Sequence, residues 1–373
     1  MAEPKAAPLA PVLQRQSAYD LWEQKQGIPI VTGFYIADVN DIEVKPLDLM
    51  RVPGAIVDLE GCGGTNSAYA IEIPAGGATT PIRHMIEILC YVTKGRGATT
   101  VWYGENEKHS FEWQTGSVFS VPLNARYQHF NGSGTDPTRI FVVTTAPTVM
   151  NLFHNEEFIF NNPFVFTDRM DNPKHFSGDG TLYTGHTGRV RVWETNFIPD
   201  VRTHDVYSWR ERGAGGGSLM FELAHNTMCA HISQFPIGTY KKGHRHGPGA
   251  HVVILGGDGF SMLWPRGKPE ERVKVDWKIG SVVVPPTQWF HQHFNTGNNY
   301  ARYLALRWGS ARYGGMALGA NENEAADVSE SEGGAQIEYE NEDRTIHQIF
   351  EDDLKKHGAE CNMKQFTPWC TGK

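Results

Sequence analysis

The run Gly243-His244-Arg245-His246-Gly247-Pro248-Gly249-Ala250-His251 carries three histidines as His-x-His-x4-His. A fourth, His291, follows 40 residues on in Gly280-Ser281-Val282-Val283-Val284-Pro285-Pro286-Thr287-Gln288-Trp289-Phe290-His291-Gln292-His293-Phe294-Asn295. Residues two apart on a β-strand point to one face, so His244 and His246 project together, and His251 falls on the following strand. Neutral imidazole is a common ligand of first-row transition metals, and four nitrogens converging from separate strands suit a divalent ion. Core histidines are usually solitary and satisfied by one partner, so His244, His246, His251 and His291 are read together as metal ligands.

The spacing resembles the two motifs of the cupin superfamily. The first is Gly238-x5-His244-x-His246-x4-His251, with histidine where many cupins carry a metal-binding glutamate. The second is Gly280-x5-Pro286-x4-His291-x3-Asn295, with Gln288 where the pattern usually has glycine. The resemblance implies a small antiparallel β-barrel with the metal inside.

A weaker copy lies upstream. Ile73-Pro74-Ala75-Gly76 echoes Phe235-Pro236-Ile237-Gly238, and Gly116 to Asn131 echoes Gly280 to Asn295. Val31 to Val39 likewise echoes Glu194 to Val201. Copies about 162 to 164 residues apart mean two barrels in tandem, a bicupin. The expected fold is all-β: two jelly-roll barrels of short alternating strands, with short helices at the termini. The expected segments are an arm over 1–27, a first barrel over 28–150, a crossover over 151–184, a second barrel over 185–315 and an acidic tail over 316–373.

Superposing the copies tests the ligand set. His244 falls on Ile82, His246 on His84, His251 on Glu87 and His291 on Tyr127. Two potential ligands bind a transition metal poorly, so the first barrel is expected to be metal-free. His129 and His293 both occur in Gln-His-Phe-Asn, so both are expected to be structural. Arg139 and Arg302 also match and are expected to be architectural. Arg307 has Thr144 as its counterpart and shares a strand face with Tyr303 and Ala305. It is the candidate to hold a substrate carboxylate, a role for which guanidinium geometry is suited. Gln234 and Trp289 complete the expected substrate-binding set. His231 and Gln234 are three apart, on opposite faces, so at most one of them lines the cavity.

The remaining features bound the partners. The chain has 373 residues, 40% hydrophobic and 20% charged, enough for two cores. A net charge of -8 with no basic run argues against nucleic acid. No apolar run approaches membrane-spanning length. The N-terminus lacks the apolar core of a signal peptide, and five scattered cysteines read as reduced thiols, so a cytoplasmic location is expected. Trp209 to Ser218 is glycine-rich but lacks a phosphate-loop ending, so it reads as a hairpin turn or lid. Ser17 caps an expected helix to Gln26 with Leu21 and Trp22 inward, and Asp343 to Lys356 reads as an amphipathic helix.

Histidine-rich cupins include ring-cleaving and β-diketone-cleaving dioxygenases. The resemblance therefore implies a non-haem dioxygenase that cleaves a C–C bond of a small oxygenated acid or aromatic, with Fe(II) first and Mn, Ni or Zn as other ions. The alternatives are a redox-neutral lyase, isomerase or decarboxylase using its ion as a Lewis acid, and a non-enzymatic binding protein. The resemblance also implies a homo-oligomer acting on a small molecule.

Overall fold

The computed structural model describes residues 16–62, 64–104, 108–170, 173–185, 188, 190–247, 249–313, 327–367 and 369–370. Residues 1–15 of the expected arm over 1–27 and residues 316–326 of the expected acidic tail lie outside them. Each half is a large sheet facing a three-stranded one. In the first half the large sheet orders Ile30–Val31, Val52–Val57, Ser67–Ile73, Thr138–Thr144, Ile88–Lys94 and Val118–Ser120. Its small sheet orders Arg126–Asn131, Arg96–Trp102 and His109–Gln114. The second half repeats this with Arg191–Thr195, Gly217–Leu223, Met228–Phe235, Ala301–Trp308, His251–Gly256 and Val282–Val283, facing Val273–Trp277, Gly259–Trp264 and Phe290–Asn295. The expected all-β pair of jelly rolls is what forms.

The two large sheets are buried on both faces, which explains their nearly unbroken apolar sequence. In Thr138–Thr144, Ile140 and Val142 enter the first barrel's core, while Phe141 and Val143 join a cluster shared between the barrels. In Ala301–Trp308, Tyr303 and Ala305 face the second barrel's interior, while Leu304 and Leu306 enter the shared cluster. Fully burying each such side chain stabilises the fold by about 1.5–3 kcal/mol, so this contact joins the halves firmly.

The halves also exchange strands. Tyr35–Ile36 pairs with Val282–Val283 of the second barrel, and Phe197 and Ile198 pair with Phe119 and Val118 of the first. These strands lie in the repeated segments 31–39 and 194–201, so the expected boundaries at 28 and 185 each give one edge strand to the wrong barrel. The matched arginines hold the exchanged segments. Arg139 donates to the carbonyls of Val39, Asn40 and Ile42 at 3.3, 2.6 and 3.0 Å. Arg302 donates to the carbonyls of Val201, at 2.9 Å, and His204.

Ser17 caps the helix Ala18–Lys25, but its buried side is Tyr19 and Glu23, whereas Leu21 is 49% exposed. Helices are not confined to the termini. The crossover region begins with Ala146–Phe153, started by Pro147, and Glu156–Asn161, capped by Asn155. Asp343 caps Arg344–His357, whose Ile346, Phe350 and Leu354 pack on Phe260 and Phe294 of the second barrel. Among the described residues no helix is long and apolar enough to cross a membrane.

Candidate metal centre

His244 and His291 form an isolated β-bridge. The His244 N–H donates to the His291 carbonyl at 3.1 Å, and the His291 N–H returns a bond at 2.8 Å. This sets their rings side by side, with centroids 4.3 Å apart. His246, two residues on, brings its ring to 5.5 Å from His244 and 4.8 Å from His291. One nitrogen from each of the three lies within 4.8 Å of the others.

The tautomers suit a cation. His244 Nδ1 lies 3.1 Å from the Lys242 carbonyl, and His291 Nδ1 lies 3.3 Å from the Trp289 carbonyl. A carbonyl can only accept, so each Nδ1 donates and each Nε2 keeps its lone pair. His246 Nδ1 is buried with no hydrogen-bond partner. Burial pushes the His244 and His246 imidazoles well below their usual value and His291 down to about 4, and nearby Arg212 adds to it. Three neutral imidazoles with free lone pairs fit a divalent first-row ion.

His251 is the expected ligand that the fold places elsewhere. Its strand turns Ala250, Val252 and Ile254 into the barrel, so His251 faces out with Val253. The ring lies against the first barrel, with Nε2 3.6 Å from Cys62 Sγ, Nδ1 3.4 Å from Asn66 Nδ2, and 5.9 Å between its centroid and that of Phe141. The set of four is thereby corrected to three. Its counterpart Glu87 behaves alike, accepting from the Thr227 and Met228 N–H groups of the second barrel at 2.8 and 2.9 Å.

Beneath the three histidines lies a charged layer. Lys241 Nζ donates to Ser233 Oγ and to Tyr303 Oη, the latter at 3.1 Å. Burial alone would raise the Tyr303 phenol, but Lys241 and Arg212 outweigh it and hold it below its usual value. Arg212 pairs with Asp327 at 2.9 Å and is near enough to His244, His246 and His291 to disfavour their protonation. Arg307, as expected, faces inward, acting electrostatically on His246 and His231, and its Nε is buried without a hydrogen-bond partner. Glu222, a carboxylate on which Arg307 acts, is engaged by Ser310 Oγ at 2.6 Å.

Two expected substrate contacts are not brought to this centre. Gln234 faces out and accepts from Arg302 at 2.8 Å, whereas His231 takes the inward face, 5.9 Å from Tyr303. Trp289 is half-buried against Phe34, 6.0 Å away, at the edge of the interior. His129 and His293 are structural partners of one kind. Their Nδ1 atoms bond Thr99 and Ser261 at 2.7 Å each, and Trp113 and Trp277 donate to the same hydroxyls. Sequence reasoning missed Arg212, Lys241 and Tyr303. Tyr303 was legible from its shared face with Arg307, but Arg212 sits in the glycine-rich loop, where no periodicity marks an inward residue.

No protein-family model matches the chain, and no curated protein matches it. Solved structures do. Lactobacillus farciminis oxalate decarboxylase, in a formate complex, is 12% identical, with a TM-score of 0.50 over 80% of this chain and 92% of that one. A tryptophan-to-tyrosine variant of Bacillus subtilis oxalate decarboxylase is 12% identical, with a TM-score of 0.49 over 95% and 96%. Hazelnut (Corylus avellana) vicilin is 11% identical, with a TM-score of 0.46 over 74% and 85%. Identities this low speak to the fold and leave the activity to the site itself. With two jelly rolls in tandem and matched architecture in the Lactobacillus enzyme, the chain has the bicupin fold.

Proposed function

We propose that the second barrel is the active site of a metal-dependent enzyme that acts on a small carboxylate by redox-neutral chemistry, such as decarboxylation, elimination or isomerisation. The observation that carries this is the charge around the centre. Three neutral imidazoles face a layer holding Lys241, Arg212 and Arg307, with Asp327 the carboxylate paired to Arg212. His244, His246 and His291 would hold the ion. When bound, it supplies a Lewis acid that draws electron density from substrate oxygen atoms.

The chain's own residues supply the rest. Arg307, whose Nε is buried without a hydrogen-bond partner, would bind the carboxylate, with Lys241 as a second cation. Tyr303 Oη, which accepts from Lys241 Nζ at 3.1 Å, gives and takes the proton. Phe235, Leu263 and Val283 form the apolar wall that excludes water and strengthens these charges.

The dioxygenase reading stands second. Oxygen-activating iron is commonly held by two histidines and one carboxylate. The described cluster has no carboxylate, and neutral ligands favour the lower oxidation state. What supports the dioxygenase reading is that three ligands leave coordination positions for both substrate and dioxygen.

The test is anaerobic turnover of small mono- and dicarboxylates by protein loaded in turn with Mn, Ni, Zn and Fe. Oxalate comes first, as the substrate named for the bacterial decarboxylase of the same fold. Oxygen-independent product formation supports the proposal. Turnover only with iron and dioxygen moves the assignment to a dioxygenase, and carboxylate binding without turnover moves it to a binding protein. Arg307→Ala should weaken carboxylate binding by about 2 kcal/mol, roughly 30-fold, while leaving metal content unchanged.

A further inference from the structure

A second set of ligand atoms lies outside the barrel, where the C-terminal helix meets the tail. His347 and Glu351 are four apart on the helix Arg344–His357 and so share a face. Cys361 and Cys370 come from the tail that follows. One donor atom from each of the four lies within 4.8 Å of the others. The sulfurs are 3.4 Å apart, too far for a disulfide bond and close to the edge of a tetrahedron around one ion.

The hydrogen bonding around His347 leaves a gap that a cation fills. Tyr240 donates its hydroxyl hydrogen to Glu342 Oε1 at 2.7 Å. Its oxygen is then the acceptor for His347 Nδ1, 3.1 Å away. With the ring proton on Nδ1, the Nε2 lone pair faces the Glu351 carboxylate at 3.2 Å. Two acceptors face each other there, an arrangement that a shared cation satisfies.

We propose that His347, Glu351, Cys361 and Cys370 form a structural zinc-type site that fastens the tail to the second barrel. Two thiolates, one imidazole and one carboxylate make a closed four-ligand set, which suits Zn(II) and leaves no position for substrate. Binding converts both thiols to thiolates and releases their two protons to solvent. The site joins contacts that already hold the tail. The Asn362 N–H donates to the Gly238 carbonyl at 2.8 Å, and Tyr240 packs beneath with its N–H on Met363 Sδ at 3.4 Å. At Gly238, with φ of +64°, an added Cβ would overlap the Glu360 carbonyl oxygen, so glycine is needed for the tail to lie this close.

The test is cobalt substitution of the full, reduced chain. Co(II) bound by two thiolates gives a thiolate-to-cobalt charge-transfer band in the near ultraviolet, which an all-histidine centre cannot give. The expected result is this band at one equivalent, with release of two protons. Cys361→Ser with Cys370→Ser should abolish it and lower the zinc content by one ion per chain. His244→Ala should leave the band intact, which separates this site from the barrel centre. Absence of the band in the reduced wild-type chain would overturn the proposal. So would its persistence in the double serine variant, or a native chain in which Cys361 and Cys370 are linked as a disulfide.

Discussion

At the same three positions of one scaffold the two barrels share one histidine, His84 and His246, and differ at the other two. Ile82 bridges Tyr127 in the first as His244 bridges His291 in the second. In the first barrel His84 is fully satisfied: Nδ1 bonds the Ile86 carbonyl and Nε2 bonds Tyr127 Oη, each at 2.8 Å. It lines a chiefly apolar cavity with Trp22, Leu49 and Phe160. In the second, histidines replace the isoleucine and the tyrosine, and the lone pairs are left without protein partners. Exchanging a phenol for an imidazole turns a closed hydrogen-bond pair into an open donor set. The scaffold tolerates both because the two barrels have the same backbone pairing at this point.

The comparison can be broken most decisively by transplanting it. Ile82→His with Tyr127→His should add about one bound ion per chain, read by elemental analysis, whereas His246→Ala should weaken the native centre by at least about 100-fold. If the grafted barrel stays empty, then the surrounding charged layer, and not the three positions, makes the difference.

Acid should treat the barrels alike. His84 and His291 are both pushed down to about 4 by burial, against about 6.5 in the unfolded chain. Their folded values are depressed, so the unfolded state binds protons first. Their contribution is complete above pH 6.5 and is lost as pH falls towards 4, by about 3 kcal/mol for each histidine. In the metal-free chain, His84→Gln and His291→Gln should each remove about one proton from the pH dependence of urea unfolding. A change in only one variant would show that the burial of the two differs.

The smallest effect is expected at Gln288, which holds φ of +64° where the motif usually has glycine. Its side chain accepts from Arg245 Nη1 at 2.7 Å. Glycine would relieve about 1 kcal/mol of backbone strain and lose a bond of similar worth, so the melting temperature should move by only a few degrees.

The repeat made the double jelly roll legible, because motif spacing reports strand pairing directly. It also pointed to His244, His246 and His291, whose rings the His244–His291 bridge brings together. His251 misled because the motif spacing places it on the following strand but does not say which face of that strand turns inward. Gln234 misled for a related reason: alternation separates it from His231 but does not say which face is inward. Arg212 and the cysteines of the tail come together only through packing between segments far apart in the chain, which no local pattern records.

The exchanged strands have a consequence in time. Tyr35 pairs with Val283, so an early strand waits for a partner some 250 residues later. At synthesis rates of about 5–20 residues per second, that is a delay of roughly 12–50 s. During it, the first barrel lacks the edge strand Phe197–Ile198, and with it the core residue Phe197, until that segment emerges, and the second barrel cannot close until both ends are present. Neither half is a self-sufficient folding unit, so a chain cut in the crossover should yield two fragments that gain full structure only when they are made together.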